Sequence, residues 1–301
     1  MGSYFKILLG ASLWGFIAIF VKQLSSLGFS EMEIVALRVG WAMIFLLLIG
    51  GIKYRSSLPI KKVRDSGYFI GTGIISIVFF NWCYFKAINE MNISLAVILL
   101  YTSPVFVTIL SYLFLKERIN KKKIISVIGT IMGCGFIAGI GSGSLDVVTS
   151  LGIIVGLGSG FFYALYSIFS KFALKTYRPF TVTFYTFLFA FIFLLPITQL
   201  WNKWELMLTA EAIFYSAGLG LIPTVLAFLL YTSGLEMVES SKAAILSTVE
   251  PLVATLLGVL IYYEKLTLIQ LFGSLLIVAS FMIVQLPNRK KNTKTKQEAI
   301  F

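Results

Sequence analysis

Histidine is absent from this chain of 301 residues, and charged residues make up only 13% of it. Without histidine the chain has no imidazole to serve as a general base, a proton shuttle or a metal ligand. Soluble domains carry about 25% charged residues, whereas this chain is 58% hydrophobic with a mean hydropathy of +0.92. The shortage of charge excludes a soluble globular protein and indicates a membrane protein.

Other groups that carry chemistry are equally scarce. The two cysteines, Cys83 and Cys134, both fall inside apolar runs, which is typical of packing residues rather than of a disulfide or a metal site. The only aspartates, Asp65 and Asp146, are far apart in loops. The phosphate-binding pattern G-x-x-x-x-G-K-[ST] is missing, which argues against ATP binding. We therefore predict no catalytic residue, no metal and no cofactor, and we do not expect an enzyme.

Apolar runs of roughly 20 residues, the length that a helix needs to cross about 30 Å of hydrocarbon, follow one another along the whole chain. The first run is longer than a signal peptide core and lacks an A-x-A-like exit, so we expect it to be retained. No connection is long enough for a separate soluble domain. The sequence predicts ten transmembrane helices, at 4–24, 31–52, 66–88, 92–115, 121–140, 149–171, 179–200, 210–235, 240–263 and 266–286.

The net charge of +12 comes from 25 basic and 13 acidic residues. Most basic residues lie between spans two and three, four and five, and six and seven, or in the tail at 287–301. Positive charge marks cytoplasmic loops, so we predict both termini in the cytoplasm of a multi-pass protein of the inner (plasma) membrane. The tail is predicted to be solvated and attracted to anionic lipid, and no nucleic acid partner is expected.

The two halves of the chain repeat one another at an offset of 147 residues. Five spans in each half is an odd number, so the second half enters the membrane from the opposite side, and the repeats at 1–140 and 149–286 are predicted to be inverted. Repeats of this kind are a signature of secondary transporters. The matched pairs include Tyr84 and Tyr231, Pro104 and Pro251, and Glu117 and Glu264.

Several short pieces, in this order, carry a resemblance to a known family: Ala11–Gly15, Ala36–Arg38, Ser103–Val105 with Leu115–Arg118, and Glu250–Leu252 with Tyr263–Lys265 and Gly273. Over 4–286 the chain resembles the EamA-type carriers of the drug/metabolite transporter superfamily. The resemblance implies ten helices in inverted five-helix repeats around a cavity lined mainly by spans one, three, four, six, eight and nine. It also implies export or exchange of small polar metabolites, often amino acids, without ATP. One departure is Ser126, which stands where the other half has Gly273.

Two charged residues, Glu250 and Arg38, lie well inside predicted spans, away from the span ends. Glu250, about ten residues into span nine, lies near the bilayer centre, where a carboxylate is costly and suggests function. It either takes up a proton and couples it to transport or is a structural glutamate bonded to a neighbouring helix, for example to Arg38. Arg38 in turn either pairs with Glu250 or binds a substrate carboxylate, or it snorkels outward or bonds backbone carbonyls.

Proline and aromatic residues complete the predicted site. Pro104 and Pro251 interrupt spans four and nine at equivalent points, which indicates a site at the midplane. An aromatic wall with a few hydroxyls and amides suits an amphipathic solute or an organic cation. Tyr84, nearer a helix end, is assigned instead to the membrane-interface belt. The predicted substrate-binding residues are Trp14, Asn81, Tyr101, Thr102, Tyr163, Tyr166, Ser247 and Glu250.

Residues near the helix ends receive less specific predictions. Glu117 and Glu264 are expected to pair with adjacent basic residues, and Lys22 and Lys171 to snorkel towards the interface. Taken together, the sequence predicts a secondary transporter, an exporter or exchanger of small polar metabolites such as amino acids or related amphipathic solutes. An organic-cation or drug efflux carrier is the alternative, followed by a membrane receptor or assembly component. The expected partners are a small-molecule substrate, membrane lipid and a proton or counter-solute, in a monomer or homodimer.

Overall fold

Helices joined by short connections make up the computed structural model, which describes residues 2–139, 149–263 and 265–286, and no strand occurs within those ranges. The prediction of an all-helical chain is confirmed. In the part of the chain that the structure describes, nine helices are at least 18 residues long and apolar enough to cross a membrane, whereas α5 has 17 residues. The helices are α1 Gly2–Ser26, α2 Glu31–Ser57, α3 Val63–Glu90, α4 Ile93–Leu115, α5 Lys121–Ile137, α6 Ser150–Ala173, α7 Pro179–Thr198, α8 Ala210–Leu235, α9 Ser240–Tyr262 and α10 Leu268–Gln285.

The predicted spans fall on these helices with boundaries that differ by a few residues. The largest difference is at α2, which continues past residue 52 through the π-helical turn Gly50–Tyr54 and the 3-10 turn Arg55–Ser57. Glu264 and the tail at 287–301 lie outside the described residues. The predicted division into repeats at 1–140 and 149–286 remains a prediction.

Among the described helices, three contain a non-helical turn near their middles. The regular hydrogen bonding breaks off at Gly15 in α1, at Tyr101 in α4 and at Thr248 in α9. In α4 and α9 the cause is proline, because Pro104 and Pro251 have no N–H to offer the carbonyl four residues earlier. At both breaks a threonine hydroxyl bonds back to its own helix: Thr102 donates to the Leu99 carbonyl at 2.6 Å and Thr248 to the Ile245 carbonyl at 2.7 Å.

Helices α4 and α9 also end in the same way. Lys116 and Tyr263, which are 147 residues apart, follow the last turns with φ of 58° and 56°. Residues other than glycine rarely adopt this left-handed backbone conformation. Each of the two caps donates its backbone N–H to a carbonyl, of Ser111 in α4 and of Gly258 in α9, again 147 residues apart. The sequence repeat is thus accompanied by a repeat of backbone conformation.

Helices α5 and α10 pack at very short range through small residues. A Cβ on Gly133 would lie 2.6 Å from Ile277 Cγ1 and 2.7 Å from the Gly273 carbonyl oxygen, so only glycine fits. Ser126 donates its hydroxyl hydrogen to the Ser280 carbonyl at 3.0 Å across the same interface. The serine that departs from the glycine of the other half therefore adds a hydrogen bond between these helices.

Contacts between the connections define two opposite faces of the bundle. On the first, which we call the Glu117 face, Glu117 binds the start of α9, and Tyr177 donates to Asp65 at 2.6 Å. On the opposite face Lys203 bonds the Gly28 carbonyl at 2.9 Å and the Glu33 carboxylate at 2.7 Å. The described parts of successive connections alternate between the two faces, as expected for consecutive antiparallel helices.

Candidate substrate site

Glu250 lies two residues after the break in α9 and immediately before Pro251. The side chain is half-buried, and it forms no ion pair and no hydrogen bond with any residue in the described ranges. Side chains from five other helices lie within electrostatic range of this carboxylate, so these helices approach one another around it. Those side chains are Arg38 of α2, Tyr84 of α3, Tyr101 of α4, Cys134 of α5 and Tyr163 of α6.

An aromatic cluster from α1, α6 and α8 lies beside this carboxylate. The Trp14 indole packs edge-on against Phe228, with ring centroids 5.2 Å apart, and against Tyr163 at 6.2 Å, and it lies tilted on Tyr231 at 5.0 Å. Tyr166 meets Phe228 edge-on at 5.1 Å. The predicted residues Trp14, Tyr163 and Tyr166 are therefore brought together, and each of them contacts a ring of this cluster.

The Trp14 N–H is buried without a hydrogen-bond acceptor among the described residues. Its side chain is 5% exposed, and a buried polar group without a partner is uncommon in proteins. Gly15, the next residue, is so close to α9 that a Cβ there would lie 2.9 Å from Val253. The unpaired donor therefore sits at the break in α1, and the next residue, Gly15, packs against α9 at Val253, one turn after Glu250.

The three tyrosine hydroxyls of this cluster differ in the hydrogen bonds that they form. Tyr166 shares a hydrogen bond of 2.7 Å with Thr232, and Tyr231 shares one of 2.8 Å with Ser167. Both bonds join α6 to α8, so these two hydroxyls act in packing. The Tyr163 hydroxyl faces Ser247 at the break in α9, which places it closer to Glu250 than the other two.

The smaller polar residues predicted to bind substrate are bonded to their own helices. Asn81 donates to the Ile77 carbonyl at 2.7 Å, Thr102 to Leu99 at 2.6 Å, and Ser247 to Ala244 at 2.9 Å. These bonds fix the rotamers and use a donor of each side chain. The oxygen of each side chain keeps lone pairs that can accept from a ligand.

Arg38 is held by α8. Its Nε donates to the Thr224 hydroxyl at 2.6 Å and its Nη2 to the Pro223 carbonyl at 3.3 Å. Thr224 in turn donates to the Leu219 carbonyl at 2.7 Å, which Pro223 cannot serve because it has no N–H. Of the roles considered for Arg38, the structure shows bonding to a hydroxyl and a carbonyl of a neighbouring helix, and Glu250 is not within ion-pair distance.

We expect Arg38→Lys to lower the free energy of unfolding by about 1.5 kcal/mol, because hydrogen bonds to a charged group contribute about that much and lysine cannot reach both acceptors. Thermal unfolding in detergent measures the change. Thr224→Val removes one of the same bonds and serves as the matched variant. If both variants unfold like the parent protein, Arg38 does not brace α8.

Tyr84 of α3 is placed differently from its sequence-based assignment. It was assigned to the interface belt, but it stacks on Phe80 at 6.1 Å and lies within reach of the charge of Glu250. Phe228 and Tyr231 were not predicted. The sequence did contain a signal that could have identified Tyr231, since it is the repeat partner of Tyr84.

Comparisons with known proteins agree with this architecture. The family model described as the EamA-like transporter family matches residues 1–139 and 150–286. An uncharacterized transporter of Archaeoglobus fulgidus is 29% identical over 92% of this chain and 94% of its own length. The uncharacterized inner membrane transporter YicL of Salmonella typhimurium is 24% identical over 95% of this chain and 96% of its own length. A solved crystal structure matches 94% of this chain and 96% of its own chain, with a TM-score of 0.77 and 17% sequence identity. This likeness shows that the two proteins share a fold.

Proposed function

Because the chain belongs to the EamA-like transporter family, we propose that it is a secondary transporter that exports or exchanges small polar metabolites, such as amino acids or related amphipathic solutes. The observation that carries the proposal is the half-buried carboxylate of Glu250, which has no bonding partner among the described residues and lies at the convergence of five other helices. A charge in the middle of a membrane protein is costly unless something neutralises it. A proton or the ammonium group of a substrate would do so.

Alternating access supplies the mechanism. The half-helix Ser240–Ser247, on the Glu117 face of α9, is buried throughout except at Lys242, whereas Val249–Tyr262 buries only Pro251 and Gly258. The part of α9 between Glu250 and the Glu117 face is therefore packed inside the bundle, whereas the part on the opposite side is mostly half-buried or exposed. This asymmetry supports a site that is exposed to one side of the membrane at a time.

The same proposal includes ten membrane-spanning helices in two inverted repeats, with the Glu117 face in the cytoplasm. The matched proline breaks and left-handed caps of α4 and α9 support the repeat, and so do the two separate matches to the family model. The basic connections between α2 and α3 and between α4 and α5 support the orientation. α5, with 17 residues, spans about 26 Å, which is near the thickness of the hydrocarbon core.

A carrier of organic cations is the second candidate. The aromatic rings of Trp14, Tyr163 and Phe228 beside an unpaired carboxylate are the groups that bind a quaternary or protonated amine. Amino acids present an ammonium and a carboxylate, whereas organic cations present only the positive group. The unpaired indole N–H favours the amino acid, because it offers a donor to the carboxylate.

Counterflow in proteoliposomes separates the two candidates. Vesicles loaded with unlabelled solute are given the labelled solute outside, from a panel of neutral and basic amino acids, amines, quaternary ammonium ions and sugars. Counterflow of amino acids without quaternary ammonium ions supports the first proposal, and the reverse result supports the second. Accumulation of sugars alone contradicts both, because Glu250 would then have no cation to bind.

Trp14→Phe is expected to raise the KM for an amino acid three- to tenfold, because one hydrogen bond of about 0.5–1.5 kcal/mol is lost while the ring contacts remain. Thermal stability should stay level or rise, since an unpaired buried donor is removed. Initial rates of counterflow and a melting curve measure both effects. An unchanged KM for every transported solute excludes the indole N–H from substrate binding.

A further inference from the structure

The carboxylate of Glu117, which follows α4, caps the first turn of α9. One oxygen accepts the backbone N–H of Ser240 at 2.5 Å, and the other accepts the N–H of Ser241 at 3.2 Å and its hydroxyl at 2.5 Å. The first N–H groups of a helix have no partner within the helix and favour a negative charge. The residue before the helix, Glu239, provides no side-chain cap, so Glu117 serves as the cap from a different helix.

A buried lysine extends this contact. Lys123, at the start of α5, is 1% exposed, and its ammonium lies 3.2 Å from Glu239 and 3.6 Å from Glu117. Burial alone would raise the pKa of Glu239, but hydrogen bonding from Lys242 and the charge of Lys123 outweigh burial and hold that pKa below its ordinary value. The carboxylate of Glu239 therefore stays charged at neutral pH and keeps its attraction for Lys123.

A second lysine holds the end of the preceding helix. Lys171, on α6, donates to the carbonyls of Leu235, Glu236 and Val238 at 2.6, 3.2 and 2.8 Å. These carbonyls lie at and just after the end of α8, where a positive charge is favourable. The expected pairing of Glu117 with a nearby basic residue is present in its contact with Lys123, and the structure adds the bonds to α9. Lys171, which was expected to snorkel, points at backbone carbonyls instead.

Lys171 binds the end of α8, Glu117 binds the start of α9, and Lys123 contacts Glu239 just before α9. The three residues therefore hold the α8–α9 connection from both ends. From that connection the half-helix Ser240–Ser247 runs about 12 Å to the break at Thr248, next to Glu250. Any movement of the connection therefore reaches Glu250 through one short rigid element.

We propose that Glu117, Lys123 and Lys171 form a latch that holds the Glu117 face closed and positions Glu250. Glu117 is the positioning residue, because it bonds directly to the first turn of the half-helix. The role of the latch in transport rests on the proposed function. The existence of the latch as a closed gate does not rest on that function, because its contacts are made within the chain and need no ligand. A ligand could shift such a gate only by binding one of its two arrangements better than the other.

Accessibility of a buried thiol tests the latch. Val107 of α4 is 1% exposed and packs against Ala164, Ile168 and Ala244, the last of which belongs to the half-helix. The thiol introduced by Val107→Cys is to be labelled with a membrane-impermeant methanethiosulfonate, added from either side of sealed vesicles. The protein without this substitution reports any reaction of the buried native thiols of Cys83 and Cys134.

Adding Glu117→Gln to this background should speed labelling from the Glu117 face at least fivefold and slow it, or leave it unchanged, from the other face. Glutamine would present an NH₂ group where the carboxylate accepts N–H bonds. Glu239→Gln should give a smaller increase, because Lys123 keeps its contact with Glu117. Glu211→Gln, an exposed change at the start of α8, is the matched control and should label like the parent.

Equal labelling in the parent and the Glu117→Gln protein overturns the latch, as does an equal increase from both faces, which would indicate general loosening. These readings need no substrate. Transport assays of Glu250→Gln and the counterflow panel decide the proposed function separately. If labelling confirms the latch but the transport assays fail, the proposed function is contradicted and the latch is not.

Discussion

Glu250→Gln abolishes transport driven by a pH gradient, with an expected fall in rate of at least a hundredfold. In the proposed mechanism, loss of the charge removes the group that binds the proton or the substrate ammonium, and a hundredfold change corresponds to about 2.7 kcal/mol. The substitution preserves shape, and no described residue bonds to this carboxylate, so the fold should be unaffected or slightly more stable. Uptake into proteoliposomes at several imposed pH differences measures the effect.

Two controls make this result specific. Glu205→Gln changes an exposed carboxylate in the connection between α7 and α8 and should transport like the parent. Passive exchange of solute without a gradient should survive in Glu250→Gln if the residue carries a proton, and should be lost if it binds the substrate ammonium. A pH dependence equal to that of the parent protein would remove Glu250 from both roles.

Gly133→Leu is expected to give the largest loss of stability, about 3 kcal/mol or more, because overpacking at a contact made of backbone cannot be relieved by a change of rotamer. The new side chain would meet Ile277 and the Gly273 carbonyl within 2.7 Å, and α5 and α10 would have to separate. Chemical or thermal unfolding of the purified protein in detergent gives the change in the free energy of unfolding.

Gly67→Leu is the matched control for Gly133→Leu. A Cβ at Gly67, in the first turns of α3, would meet no atom within 4 Å. Replacing a helical glycine by leucine gains somewhat under 1 kcal/mol of helix propensity, so this control should be neutral or slightly stabilising. Similar melting of the two variants would show that α5 and α10 do not depend on their close contact.

Most of the fold was predictable because the membrane imposes it. Apolar runs of the right length have to become helices, since no other local structure satisfies the backbone in hydrocarbon, and the helix bounds follow the predicted spans closely. The repeat was visible as the shared offset of Pro104 and Pro251. Its structural counterpart, the left-handed caps at Lys116 and Tyr263, was not predictable, because nothing in a lysine or a tyrosine indicates a positive φ.

The site was less accessible to sequence reasoning. Glu250 could be singled out as a candidate because a carboxylate in an apolar run is conspicuous. Tyr84 and Glu117 could not be assigned, since the direction of a side chain depends on helix rotation and on which helices become neighbours. Glu117 lies next to lysines in sequence, yet its backbone partners, Ser240 and Ser241, follow more than 120 residues later.

The break at Thr248 has a mechanical consequence. Pro251 offers no N–H to the Ser247 carbonyl, and the bond from the Thr248 N–H to the Ile245 carbonyl is 3.3 Å long. The two parts of α9 are therefore joined by fewer and longer backbone hydrogen bonds here than within a regular helix. We expect a bend at residue 248 to cost less free energy than a bend elsewhere in α9.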